Sequence, residues 1–180
     1  LKKKMVKKII LGGGCFWCTE AIFNRLKGVV KVIPGYTGGS SQNPTYKEVC
    51  TGNSGHAEVI KIQYDEKIIS LKTIFDVFFQ THDPTTLNRQ GNDIGSQYRS
   101  CIFTSDYSEK ELIKDRISFF NKSIFLNKRI VTTIEPENIF YKAEGYHKDY
   151  YDQNPEVPYC SVVISPKIKN LLTNHTDLLK

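Results

Sequence analysis

The residues best suited to chemistry are concentrated in one short stretch, ILGGGCFWCTEAIF, from Ile10 to Phe23. A short apolar run leads into three glycines, and Cys15 follows them at the start of a helical pattern. The N–H groups and the dipole at a helix N-terminus stabilise a thiolate and lower the pKa of the thiol. The stretch therefore predicts a nucleophilic Cys15 whose pKa lies near or below neutrality.

Cys15 and Cys18 form a C-x-x-C pair that has three interpretations. A redox dithiol is favoured, because positions i and i+3 on the first turn of a helix can reach disulfide geometry. A zinc site would need a second such pair or clustered histidines, and the remaining cysteines, at 50, 101 and 160, stand alone. In the third interpretation both thiols are small core side chains.

Phe16 and Trp17 separate the two thiols, and Glu58 lies further along the chain on a strand of period two. The aromatic pair either anchors the helix in the core or forms an apolar wall beside the nucleophile. Glu58 shares a strand face with Ile60 and Ile62. Burial of that face would raise the carboxyl pKa and provide an acid near neutral pH, whereas an exposed strand start would leave an ordinary carboxylate. A reactive thiol with a protonated carboxyl suits a reaction in which sulfur attacks and oxygen leaves as water.

The elements that position these residues follow from periodicity and turn signals. KKIIL is a predicted strand that the glycines end, and a helix is expected from Cys15 to a stop at Gly28. Residues 33–46 are rich in turn-forming residues and are expected to form a long turn. Residues 56–65, HAEVIKIQYD, alternate as a strand does.

The second half of the chain alternates less regularly. Ser70 is expected to cap a helix, and residues 81–97 form a long polar loop of the kind that is often functional. Two strands, YRSCIF and RIVTTIE, flank a helix that a Ser108–Glu111 capping box is expected to open and that runs to about Lys122. The pattern predicts an α+β or α/β fold in a single domain, residues 1–180, with residues 1–6 as a flexible extension.

Composition narrows the function classes. The net charge of +6 comes from lysines spread along the chain, without the basic patch and stacking aromatics of a nucleic-acid module. No apolar run reaches the ~18 residues of a membrane helix, and the apolar run IIL is too short for an export signal. Five cysteines without such a signal predict free thiols in a cytoplasmic protein.

Six motifs resemble the peptide methionine sulfoxide reductase A family, and they occur in the family's order between Ile9 and Ser165. They are GGGCFW, GYTGG, NPTY, GHAE, HDPTTLNRQGNDIGSQYRS and AEGYHKDYY. The resemblance implies an α+β, two-layer, plait-like domain with a mixed sheet. It also implies reduction of the S epimer of methionine sulfoxide, free or in damaged proteins, to methionine.

The resemblance assigns roles to particular residues. It implies that Cys15 attacks the sulfoxide sulfur and becomes a sulfenic acid, while Glu58 protonates or hydrogen-bonds the oxygen. Tyr46 and Tyr98 would donate further hydrogen bonds to that oxygen, and Asp93 would shape the polar side of the site.

On the apolar side, the resemblance has Phe16 and Trp17 hold the methyl group of the substrate. Placing oxygen and methyl on opposite sides of the nucleophile would select one epimer.

Recycling is implied to run through one disulfide that thioredoxin reduces, without a metal or an organic cofactor. Cys18 stands where the family often has glycine, and Cys160 lies in NPEVPYC, which is expected to be a mobile segment. Both are candidates for the resolving thiol, and the proximity of Cys18 to Cys15 favours Cys18. Cys50 and Cys101 are expected to be structural, in strand or turn settings. A thioredoxin-like dithiol oxidoreductase is the rival, but it would leave Glu58 and the aromatic pair without a role.

Overall fold

The computed structural model describes residues 5–180, so most of the predicted N-terminal extension, residues 1–4, lies outside the described residues. The strands are β1 (Val6–Gly12), β2 (Val29–Thr37), β3 (Ala57–Asp65), β4 (Arg89–Gln90), β5 (Asp93–Ile94), β6 (Cys101–Phe103), β7 (Thr133–Glu135) and β8 (Tyr141–Lys142). The helices are α1 (Phe16–Asn24), α2 (Tyr46–Cys50), α3 (Leu71–Thr81), α4 (Tyr107–Ser123), α5 (Tyr150–Gln153) and α6 (Ser165–Asn174).

Within residues 5–180, six of the strands form one mixed sheet in the order β7-β6-β1-β3-β2-β8. The β6–β7 pair is parallel, and the other neighbours are antiparallel. β4 and β5 form a separate small hairpin. Helices and strands do not alternate in a parallel βαβ pattern, so the fold is α+β rather than α/β.

The two faces of the sheet bury apolar clusters of different size. Ile60 and Ile62 of β3 face the main core, against which α1 packs, and both are fully buried. The opposite face carries a smaller cluster that Phe140 covers: Ile10, Ala57, Val59, Cys101 and Phe103. Because side chains alternate along a strand, Glu58 points to the main-core side with Ile60.

Steric requirements explain two of the glycines at and after the end of β1. A Cβ on Gly12 would come within 2.6 Å of the Cys101 sulfur, so β1 and β6 approach closely only because the side chain is absent. Gly14 has a φ of +87°, which favours glycine. Cys15 is the N-cap residue of α1, so the helix begins at Phe16, one residue after the predicted start at Cys15. Val6 already pairs with Asp65, so the predicted extension through residue 6 is one residue too long there.

Two of the predicted elements differ in the structure. The turn expected at residues 33–46 is strand through Thr37, because pairing with β3 along the whole of β2 outweighs the local glycine and proline signals. The predicted Ser108–Glu111 capping box is also wrong. Asp106 caps α4, and its carboxylate accepts the Glu109 N–H at 2.9 Å. The Ser70 cap on α3 is confirmed, with Ser70 Oγ accepting the Thr73 N–H at 3.0 Å.

The C-terminal segment also departs from expectation. Residues 158–174 are helical throughout, with a π-helical turn, Cys160–Ile164, before α6. Cys160 is fully buried in the main core, so the expected mobile loop around it is instead a packed helix. Ile164 and Leu171 are buried with it, which explains why the helix is held against the domain.

Candidate active site

Cys15 is held between a glycine turn and the first turn of α1. Only 8% of the residue is exposed. Burial raises the pKa of its thiol well above the ordinary value, and the charges of Glu58 and Cys18 raise it further. The backbone N–H of Trp17 and the Tyr159 hydroxyl lower the pKa, but their effects are smaller. The predicted low pKa is therefore wrong, since desolvation of the thiolate outweighs stabilisation at the helix start.

Glu58 is a buried carboxyl beside this thiol. It is 1% exposed, so the alternative in which the strand start emerges into solvent is excluded. Its Oε2 accepts the Phe16 N–H at 3.1 Å, whereas its Oε1 is buried without a hydrogen-bond partner among residues 5–180. Burial raises the carboxyl pKa to about 8; the Phe16 N–H lowers it, and the charge of Asp93 raises it. At neutral pH the group is a carboxylic acid with one oxygen free for a ligand.

Phe16 and Trp17 belong to an aromatic cluster around His147, and Phe16 lies in the main core, as the core-anchor interpretation expects. Phe16 is buried, and its ring centroid lies 4.8 Å from that of His147. The Trp17 indole stacks on Tyr150 at 3.7 Å, with 9° between the planes, and its Nε1 donates to His147 Nδ1 at 2.9 Å. These contacts fix the orientation of the indole plane.

Tyr46 and Tyr98 are half-buried. Burial raises the pKa of both phenols, and the next cause in each is the charge of Glu58, with a smaller effect of Cys15. Both phenols are therefore close enough to Glu58 and Cys15 for their charges to act on them. The Tyr46 N–H donates to Glu144 at 2.9 Å, which fixes the start of α2.

Asp93 lies on β5 in the hairpin that the long polar loop forms. Its Oδ2 accepts the Tyr159 hydroxyl at 2.5 Å. The same hydroxyl lowers the pKa of the Cys15 and Cys18 thiols. These side chains line a cavity of about 330 Å³. The full lining is Cys15, Cys18, Gln90, Gly91, Asn92, Asp93, Tyr159, Val162, Val163 and Lys167.

The remaining cysteines occupy different settings, and every cysteine in the described chain is a free thiol. Cys18 lines the cavity with Cys15, and its N–H donates to the Cys15 carbonyl at 3.1 Å. Cys160 is buried behind the cavity, close enough for its charge to raise the Cys18 pKa. Cys101 is buried in β6, whereas Cys50 ends α2, a helix rather than the expected strand or turn, and is exposed.

Sequence reasoning missed several residues that support the site. Glu20 is buried on α1, where it pairs with Lys148 at 2.9 Å and accepts the Asp149 N–H at 2.9 Å. This ties α1 to the segment that carries His147. The motif AEGYHKDYY contains these partners, and a histidine inside a motif was the available signal. Tyr159 gave no signal beyond its place next to Cys160.

Other features of the surface do not coincide with this chemistry. A larger cavity of about 510 Å³ lies between α3 and α6 and contains none of the predicted site residues. Among residues 5–180, no group of three or more His, Cys, Asp or Glu side chains could hold a metal ion. No helix in that part of the chain is long and apolar enough to cross a membrane.

The fold and the site together are those of a thiol-dependent oxidoreductase: two thiols line one cavity, and a buried neutral carboxyl is held by the amide that follows the first thiol. The profile of the family described as peptide methionine sulfoxide reductase matches residues 7–178. The peptide methionine sulfoxide reductase MsrA of Sulfolobus acidocaldarius is 51% identical over 167 residues, which are 93% of this chain and 94% of that protein. The chain therefore belongs to the peptide methionine sulfoxide reductase family.

Solved structures give the same result. The crystal structure of Mxr1 from Saccharomyces cerevisiae in reduced form superposes with a TM-score of 0.77 at 40% identity, covering 86% of this chain and 89% of that chain. Mxr1 in complex with Trx2 superposes with a TM-score of 0.53 at 30% identity, covering 81% and 84%. The family resemblance and the α+β fold predicted from the motifs are confirmed.

Proposed function

We propose that this protein repairs oxidised proteins by reducing the S epimer of methionine sulfoxide, free or protein-bound, to methionine. The single observation that carries the proposal is the free buried Oε1 of the neutral Glu58 carboxyl beside Cys15. Such an oxygen can donate a proton to a polar ligand atom held over the thiol. Membership of the family supplies the substrate class.

In the first half-reaction the Cys15 sulfur attacks the sulfoxide sulfur as Glu58 donates its proton to the sulfoxide oxygen. The oxygen is transferred to Cys15, which becomes a sulfenic acid, and methionine leaves. The proton that Cys15 loses restores the carboxylic acid, so the enzyme carries one oxygen more and the substrate one less. The raised pKa values of both groups keep them protonated at neutral pH until a substrate arrives.

Selectivity follows from two unlike sides of the nucleophile. Tyr46 and Tyr98 would donate to the sulfoxide oxygen beside Glu58, and Asp93 would complete the polar side. Phe16 and the fixed indole of Trp17 would take the methyl group. A sulfoxide of the opposite configuration would place its methyl against hydroxyl groups or its oxygen against the indole, leaving polar groups unpaired.

For the second half-reaction we propose Cys18 as the resolving thiol. It lines the same cavity as Cys15 on the same helical turn, whereas Cys160 does not line that cavity. A disulfide between Cys15 and Cys18 would face the cavity and so remain accessible to a reductant.

Thioredoxin is the proposed reductant, and the complex of Mxr1 with Trx2 supports this choice. Thiols supply the electrons, so the proposed cycle uses no metal or organic cofactor. Neither nucleic acid nor a membrane is a proposed partner. The five free thiols favour a cytoplasmic location, and one domain over residues 1–180 is part of the same proposal.

The test is a single turnover without reductant. Reduced protein is mixed with the S and R epimers of methionine sulfoxide separately, and methionine and protein mass are measured. The S epimer is expected to give one methionine per protein and a protein mass lower by two hydrogens, from a new disulfide. Glu111→Gln, which alters an exposed carboxylate on α4, should behave like the parent. Absence of methionine, or equal yields from both epimers, would contradict the proposal.

A further inference from the structure

Tyr159 connects a carboxylate to the two thiols of the cavity. Its hydroxyl donates to Asp93 Oδ2 at 2.5 Å, and its side chain lines the same cavity as Cys15 and Cys18. A phenol has one proton to donate, so while that proton is on Asp93 the oxygen is an acceptor. A thiol S–H can therefore donate to Tyr159 at the same time.

Cys18 needs a base in order to react at neutral pH. Burial raises the pKa of its thiol to about 11, although the charge of Lys167 and the Tyr159 hydroxyl lower it. At that pKa only about one molecule in 10⁴ carries the thiolate at pH 7, and the thiolate is the nucleophile. The titratable groups that face Cys18 are Cys15, Asp93, Tyr159, Cys160 and Lys167. Among these, Asp93 is the carboxylate, and Tyr159 is its direct contact.

We propose that Tyr159 and Asp93 form a proton relay that activates Cys18 when it resolves the Cys15 sulfenic acid. Tyr159 would then act as the base of the second half-reaction from the wall of the cavity that holds both sulfur atoms. The inference rests on the proposed function and adds a base to its second half-reaction.

The relay conserves protons and electrons. The Cys18 sulfur attacks the Cys15 sulfur, so the S–S bond forms while the S–O bond of the sulfenic acid breaks. The Cys18 proton moves to the Tyr159 oxygen as the Tyr159 proton moves to Asp93. The departing hydroxide takes the proton of Glu58 and leaves as water, and the proton on Asp93 returns through solvent to restore Glu58. Cys18 is oxidised, and the sulfenic sulfur is reduced.

Lys167 completes the electrostatics of this cavity. It lines the cavity from α6, and its positive charge favours the thiolate form of Cys18. The relay removes the proton and the ammonium group stabilises the sulfur anion left behind. The two groups reach Cys18 from the same C-terminal helical segment, whose π-helical turn lies between them.

The experiment uses the full chain with Tyr159→Phe, which keeps the ring against Trp17 and removes only the hydroxyl. Tyr151→Phe is the matched control, because its hydroxyl contacts only Ser165, at 3.0 Å, on the same segment. Each protein is given one equivalent of the S epimer. Methionine release, sulfenic acid captured by dimedone at successive times, and disulfide formation are followed from pH 6 to 9.

In Tyr159→Phe, sulfenic acid is expected to persist about 100-fold longer at pH 7, the lower range for loss of an acid–base group. Its decay should accelerate about tenfold per pH unit, as solvent hydroxide replaces the relay, while the parent and Tyr151→Phe change less. Asp93→Asn, which cannot accept a proton, should give the same pH profile. This readout begins after methionine has left and so does not depend on substrate binding.

Several outcomes overturn the relay. Sulfenic acid decay equal to that of the parent in both variants does so, as does a slower decay with an unchanged pH profile. Faster methionine release together with normal decay would make Tyr159 a cover over the site. If Tyr159→Phe does not fold, Asp93→Asn decides alone. A parent protein that forms no methionine refutes the proposed function instead, so the two failures are distinct.

Discussion

The Phe16 amide donates a 3.1 Å hydrogen bond to Oε2 of Glu58, so the first residue of α1 holds the acid of β3. Phe16 directly follows Cys15, and the position of the acid relative to the nucleophile is therefore set by backbone rather than by a flexible side chain. The bond occupies one carboxyl oxygen and leaves Oε1 for a ligand. The N–H stabilises the charged form and so lowers the pKa of Glu58. The pKa is nevertheless raised, because the effect of burial is larger than that of this hydrogen bond.

Cys15→Ser is expected to abolish methionine formation, because a hydroxyl is not a usable nucleophile toward sulfoxide sulfur at neutral pH. A single turnover with the S epimer and quantitation of methionine checks this. Cys101→Ser changes a buried cysteine outside the cavity and serves as the control. Methionine release by Cys15→Ser at the rate of the control would remove Cys15 from the mechanism.

Glu58→Gln keeps the side-chain shape but cannot transfer a proton, so single-turnover methionine formation should slow by about 10²–10⁴-fold. The parent loses its acid form as pH rises through about 8. The ratio of the parent rate to the variant rate should therefore be constant below that pH and fall about tenfold per unit above it. A ratio that stays constant to pH 10, or a slowing of only a few-fold, would make the carboxyl structural.

Burial of Glu58 also links stability to pH. Its pKa is raised on folding from 4.5 to about 8, so the native state holds the proton more tightly than the unfolded chain. Stability is then lost as pH rises between these two values, by about 1.4 kcal/mol per unit from this group. Denaturant melts of the parent and Glu58→Gln at pH 5 and pH 8 test it. The parent should lose more stability than the variant, and parallel losses would refute the link.

Cys18→Ser should form one methionine per protein and then stall with thioredoxin present, whereas Cys160→Ser should continue to turn over. The reason is that Cys18 shares the cavity with Cys15 and Cys160 does not. Steady-state turnover with thioredoxin measures the difference. The reverse result would give the resolving role to Cys160 and make Cys18 a buried helix residue.

His147→Leu removes the acceptor of the Trp17 indole N–H and leaves that donor unpaired, a loss of about 1–3 kcal/mol. The apolar wall should loosen, so KM for the sulfoxide should rise about tenfold with little change in kcat. Trp17→Phe and the double variant complete a double-mutant cycle. If the histidine acts through the indole, His147→Leu should have much less effect in the Trp17→Phe background; full additivity would show that it does not.

Residues of the site could be placed from the sequence where a short-range pattern determines their position. Period two placed Glu58 on the face of Ile60 and Ile62, and the glycine run placed Cys15 at the start of α1. Both follow from local geometry.

Properties that depend on the whole fold could not be predicted. The pKa of Cys15 is raised by burial and by a carboxyl far away in the chain, neither of which the helix start reveals. The α4 cap was misassigned because Ser108 and Asp106 both precede a glutamate by three residues, and only the folded loop decides between them. Tyr159 reaches Asp93 across 66 positions, a contact with no periodic signature.

The π-helical turn at Cys160–Ile164 determines the direction in which the side chains of the following helix point. A π turn uses more residues than an α turn, and each residue of an α-helix advances the side-chain direction by about 100°. If Cys160–Ile164 wound as a regular α-helix instead, each of its residues would advance the side-chain direction further, and everything beyond it would be rotated relative to Tyr159. Lys167 would leave the cavity while Tyr159 stayed, so one irregular turn sets which charge the thiols meet.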